Sequence, residues 1–169
     1  MEKTRKLTLT AMMVAIGTMT SNFFFIPIGF TKVFPVQHFL NVLSAVLLGP
    51  YYGVLQAFSV SLLRNLMGTG SLFAFPGSMV GALLASLLFL KTRKLYMAFA
   101  GEVFGTGILG AILAYPIAAV LLGQKATLFG FIPLFIFSSI AGALIGAVVL
   151  SIFVKKQAAV LTNTSLLKK

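Results

Sequence analysis

What most constrains this chain is its division into six long apolar runs by short basic or Gly/Pro breaks. The runs lie near Leu7–Phe25, Val36–Leu48, Tyr52–Met67, Pro76–Leu90, Tyr96–Leu122 and Phe131–Val154. With 59% hydrophobic and 9% charged residues in 169 positions, the chain cannot clothe a soluble domain, which is roughly 45–50% apolar and about 25% charged. Six helical spans of ~20 residues would occupy about 120 positions. The expected architecture is therefore all-α: one transmembrane domain over residues 1–169, six helices in a compact bundle. The second run has only 13 residues, about 20 Å of helix against a ~30 Å hydrocarbon core. It either sits in a thinned part of the bundle or continues through Gly49-Pro50. Pro35 and Pro76 suit first-turn positions, whereas Pro116 and Pro133 predict kinks.

The acidic inventory excludes whole classes of function. Glu2 and Glu102 are the only carboxylates besides the C-terminus, and there is no aspartate. Carboxylate metal sites and glycosidase pairs are thereby excluded. No phosphate-cradling Gly-x-x-x-x-Gly-Lys-[Ser/Thr] loop occurs, so ATP hydrolysis by that route is not expected. The chain has no cysteine and one histidine, which removes thiol chemistry and histidine metal clusters. Enzymatic activity, a cofactor and a bound metal are all unexpected. Binding, packing and transport remain.

A net charge of +11 could point to nucleic acid, but its distribution does not. With the N-terminus in the cytoplasm and six spans threaded, Lys3, Arg5, Lys6, Lys91, Arg93, Lys94, Lys155, Lys156, Lys168 and Lys169 all fall inside. Lys32 and Lys125 fall in outer loops, and Arg64 near the outer end of the third helix. This positive-inside pattern predicts a multi-pass cell-membrane protein with both termini cytoplasmic. The first apolar run is long for a cleavable signal peptide, and its loss would spoil the orientation, so it reads as a retained helix.

Small residues recur four apart at Gly77 and Gly81, Gly101 and Gly105, and Gly142 and Gly146. That spacing lets helix backbones approach closely, and internal packing is the simplest use for it.

In this topology polar side chains collect at the outer end. Gln37, His38 and Asn41 share a face of the second helix, Arg64 and Asn65 close the third, Ser78 opens the fourth, and Tyr115 lies toward the outer end of the fifth. Each has an ordinary reading alone: His38 as a helix cap, Arg64 snorkelling to lipid phosphates, Lys32 as a solvated loop charge. Their convergence within an apolar wall is what a small-molecule pocket requires. Twelve of the 17 phenylalanines also lie in the outer half. Interface belts favour Trp and Tyr, so Phe there suits walls for a flat ring. Glu102, near Lys91, Arg93 and Lys94 in sequence, is expected to form an ion pair at the cytoplasmic side, away from this pocket.

The stretches Pro35-Val-Gln-His-Phe-Leu-Asn-Val42, Leu48-Gly-Pro-Tyr-Tyr-Gly53, Arg64-Asn-Leu-Met-Gly-Thr-Gly70 and Phe75-Pro-Gly-Ser-Met-Val-Gly-Ala-Leu-Leu84 resemble the ThiW family. Those proteins are substrate-binding (S) subunits of energy-coupling factor (ECF) transporters. The likeness is best over Leu7 to about Leu90. It implies a pocket capped by outer loops, with the thiamine precursor hydroxyethylthiazole as substrate. It also implies a transmembrane coupling (T) subunit and two ABC ATPases as partners. S subunits of this class present an Ala-x-x-x-Ala face on the first helix to the coupling subunit, matched here by Ala11 and Ala15, with Gly17 nearby.

The residues leave alternatives within and beyond that class. Another S subunit, for a pyrimidine, thiamine or an anionic vitamin, is one. Cationic thiamine calls for a pocket carboxylate, and none is expected at the outer end; Arg64 and Lys32 would welcome an anion. An oligomeric secondary carrier would need carboxylate relays or interrupted helices, which the acid inventory makes hard to build. A membrane enzyme has no acid or nucleophile arranged for it.

Overall fold

The computed structural model describes residues 2–28, 31–123 and 129–166, with backbone alone for residues 27–28, 31–33 and 154–166. Six helices form: α1 Lys3–Thr20, α2 Pro35–Leu47, α3 Pro50–Leu66, α4 Ala74–Thr92, α5 Leu95–Leu121 and α6 Ile132–Leu166. Between α1 and α2 lies a small antiparallel hairpin, β1 Ile26–Ile28 and β2 Thr31–Val33, in the register Ile26 to Val33 and Ile28 to Thr31. Five of the apolar runs are thus helices; the first is helical only to Thr20, with residues 21–25 in turns, and the hairpin is an addition to the expected all-helical architecture. Among the described residues three helices are long and apolar enough to cross a membrane: Ala74–Thr92, Leu95–Leu121 and Ile132–Phe153.

Local chemistry sets the breaks. Pro35 and Pro50 open their helices where no N–H is needed. Gly49, at φ +87°, turns the chain between α2 and α3. The second run therefore stops at Leu47 and does not continue through Gly49-Pro50. Pro133 is the second residue of α6 and kinks nothing, because no donor is required in a first turn. Pro116 does lie within α5, followed by a wider π turn at Ile117–Leu121; a second π stretch spans Gly105–Gly110. Such widening releases carbonyls that proline cannot serve.

The glycine pairs are packing seams. A side-chain carbon at Gly101 would stand 2.7 Å from the Ala85 Cα, one at Gly105 2.8 Å from the Gly81 Cα, and one at Gly110 would run into the Gly77 Cα. α4 and α5 therefore meet backbone to backbone. On α6, a carbon at Gly142 would strike the Pro35 carbonyl, and one at Gly146 would lie 3.1 Å from the Val42 Cβ, so α6 closes on α2. Without a hydrophobic force between helices in lipid, this close packing holds the bundle together. Outward, the surface is apolar, with Met12, Ile16, Leu87, Val120 and Phe153 all well exposed.

Candidate functional site

The first turn of α2 carries Gln37 and His38, and the last turn of α3 brings Arg64 to Gln37. Arg64 is only 2% exposed. Its Nη1 donates to the Gln37 Oε1 and its Nη2 reaches the Thr69 carbonyl at 3.5 Å. The Phe34 ring lies 3.4 Å from the guanidinium carbon. A planar cation stacked on a ring and forked between two carbonyl oxygens uses what distinguishes arginine from lysine. Gln37 Nε2 in turn donates to the Ser61 Oγ at 2.8 Å, and Ser61 and Ser78 hydroxyls pair at 3.0 Å. Arg64 thus ties the segment before α2 to the loop after α3. That loop is held to the end of α1 by the Ser21–Thr69 hydroxyl pair at 3.0 Å.

A second polar centre lies just inside the first, around Glu102. Its carboxylate is fully buried, and its Oε1 is 2.8 Å from the His38 Nδ1, 3.0 Å from the Asn41 Nδ2 and 2.9 Å from the Thr106 Oγ1. Asn41 also donates to the Ser78 carbonyl at 3.2 Å. Space for the carboxylate comes from Gly81, where a Cβ would lie 2.7 Å from the Glu102 Oε2 and collide with the Thr106 hydroxyl.

This corrects the expectation for Glu102, which is not an ion pair with the basic residues near Lys91 but the acidic centre of the polar cluster. The reason is depth. α2 has 13 residues, fewer than the 17 of α3 and the 19 of α4. Its first turn therefore sits well inside the bundle, where it meets a residue about 10 Å along α5 from Leu95. Two signals pointed to Glu102: the short second run, and the rarity of ionisable side chains in apolar spans, which pair when they occur.

Between these centres and α6 opens a small cleft with a cavity volume of about 60 Å³. Gln37, His38, Arg64 and Ser78 line it, with Thr106 and Ser138 as further polar groups and Phe34, Leu134 and Phe135 as apolar wall. Asn41 is wholly buried behind His38 and does not line it. The Asn65 amide is committed to the Ser61 and Ser71 carbonyls, at 2.8 and 3.0 Å, and shapes the loop rather than the cleft wall. Tyr115 is partly buried on α5 and absent from the lining. Among the described outer phenylalanines, Phe34 and Phe135 line the cleft, while Phe23, Phe24 and Phe129 are exposed; Phe30 lies outside the described residues. The Lys32 side chain and Lys125 lie outside the described residues. Ala11 and Ala15 are exposed on the outward face of α1, while Gly17 packs inward on Leu40 and Val60 and is not part of that face.

The fold, an apolar helical bundle, is similar to that of an ECF transporter S component. The solved structure of the S component of a bacterial ECF transporter superposes with a TM-score of 0.70 at 20% identity, over 95% of this chain and 99% of that one. The sequence profile of the thiamine-precursor transporter protein family, ThiW, matches residues 7–156. The chain belongs to the ThiW family, a family of membrane transport proteins rather than of enzymes. Comparison with curated proteins gives no match.

Proposed function

We propose that this chain is the substrate-binding subunit of an ECF-type ABC importer, that it takes up hydroxyethylthiazole, and that it works with a T subunit and two ABC ATPases. The observation that supports the substrate is the composition of the cleft: uncharged amide, imidazole and hydroxyl groups beside two phenylalanine rings. Among the described residues Arg64 is the permanent cation of the lining, and the Glu102 carboxylate is buried behind it. A flat, neutral heteroaromatic with a ring nitrogen and a hydroxyl suits such a site. Glu102 removes the earlier objection to thiamine that no carboxylate is at hand, but it is fully buried and does not line the cleft. Arg64, on the wall, repels a cation. Calorimetry on the purified protein in detergent tests the reading directly. Hydroxyethylthiazole is expected to bind, and thiamine and an aminopyrimidine more weakly; tight binding of thiamine or a pyrimidine without the thiazole overturns it.

Ala11 and Ala15, one turn apart on exposed α1 surface, suit close approach by a partner helix. Ala11→Trp is expected to abolish copurification with the ATPases while leaving ligand affinity intact. The proposed orientation, supported by the basic-residue distribution, has both termini in the cytoplasm. A cysteine at Thr69 should then react with an impermeant thiol reagent in whole cells, and one at Thr92 should not.

A further inference from the structure

His38 and Glu102 form a pair whose proton arrangement follows from their neighbours. The Asn41 Nδ2 can only donate, and it donates to the Glu102 Oε1. That oxygen is therefore an acceptor. With Glu102 as a carboxylate, the His38 Nδ1, 2.8 Å away on the same oxygen, carries a hydrogen and donates it. In the neutral imidazole the lone pair then resides on Nε2. His38 lines the cleft, and its Nε2 has no protein partner among the described residues. An accepting nitrogen is thereby offered to whatever enters, beside walls whose other polar groups are mostly donors or hydroxyls.

Resting on the reading of the substrate as a hydroxyl-bearing thiazole, we propose that His38 recognises the substrate's hydroxyl, accepting its proton-bearing end through Nε2, and that Glu102 is the positioning residue that holds His38 in that tautomer. Glu102 does not touch the ligand. It acts by fixing which ring nitrogen accepts, in the way carboxylates orient metal-binding histidines. Selectivity follows: a ligand lacking the hydroxyl leaves a desolvated acceptor unpaired, which sites built to hydrogen-bond an OH reject strongly.

The test compares two probes on the full-length protein in detergent: hydroxyethylthiazole and 5-ethyl-4-methylthiazole, which lacks the hydroxyl. Wild type should prefer the alcohol by about fivefold or more. His38→Ala should bind both alike, because with the imidazole gone the ethyl compound no longer leaves an acceptor unpaired; its binding of the ethyl compound at least as well as wild type shows that the cleft is intact. Glu102→Gln retains an acceptor for His38 Nδ1 and should keep the preference. Glu102→Leu should lose the preference while still binding the ethyl compound. A preference undiminished in His38→Ala, or lost in Glu102→Gln with the ethyl compound still bound, overturns the proposal. So does a wild type that binds both equally. A wild type that binds neither thiazole overturns the substrate reading instead.

Discussion

α4 makes two unlike seams from adjacent stripes of one helix. Toward α5 it presents Gly77, Gly81 and Ala85, and the backbones touch with almost nothing between them. Toward α2 and α3 it presents Ser78, Ala82 and Ser86, and there the contact is partly polar. The Ser78 hydroxyl meets Ser61 and its carbonyl receives Asn41, while the Ser86 hydroxyl lies where a Cβ on Gly53 would come within 3.1 Å. One seam sets distance and the other supplies hydrogen-bonding groups. They meet at Gly81, where the missing side chain admits the Glu102 carboxylate from the tight seam into the polar one. The placement of a charged group is thus governed by a residue with no chemistry of its own.

Separating the seams should separate their effects. Gly105→Leu forces α4 from α5 and should cost about 3 kcal/mol of stability, the upper end for an overfilled interior. Thermal unfolding in detergent measures it, and ligand affinity should fall with it because Glu102 moves too. Unchanged affinity in a destabilised Gly105→Leu would show that the seams are independent. Asn41→Ala acts on the polar seam, removing one of the donors that satisfy Glu102, and should cost about 2 kcal/mol in the same assay. Arg64→Lys keeps the charge but loses the fork to Gln37 and Thr69 and the stack on Phe34. It should weaken ligand binding by about 1.5 kcal/mol with little effect on unfolding. Tyr115→Phe, remote from both seams, should stay within about 0.5 kcal/mol of wild type in affinity and stability. A larger effect would mean the cleft extends along α5.

Much of the bundle was legible in the chain because apolar run length is a direct physical requirement of a span. Helices α2 to α5 begin and end within about two residues of the expected runs, and the glycine pairs lie at seams because spacing by four marks a face. The hairpin was not legible: Ile26–Val33 is too short and too interrupted by Pro27 and Gly29 to show strand alternation. For the site, the residue types were readable but not their depth. His38, Gln37, Arg64 and Ser78 were brought together by assuming that helix ends share one level, an assumption that excluded Glu102. Asn65 and Tyr115 were grouped with them by height alone, whereas Asn41 was placed with Gln37 and His38 by a shared helix face. Whether a side chain faces a cleft or a carbonyl depends on helix rotation, which a uniformly apolar helix such as α4 does not encode in its hydropathy.

The pairing of α2 with Glu102 also bears on the order of biosynthesis. His38 and Asn41 precede Glu102 by 64 and 61 residues, so the ribosome completes the donors long before the acid that needs them. α5 enters the bilayer carrying the one acidic side chain of the spans, a burden for an isolated helix. It enters beside a bundle in which α2 to α4 already exist, and docking along the glycine seam delivers the carboxylate to waiting amide and imidazole hydrogens. Chain order here places the costly group last among its partners, leaving α6 to close over the finished pair.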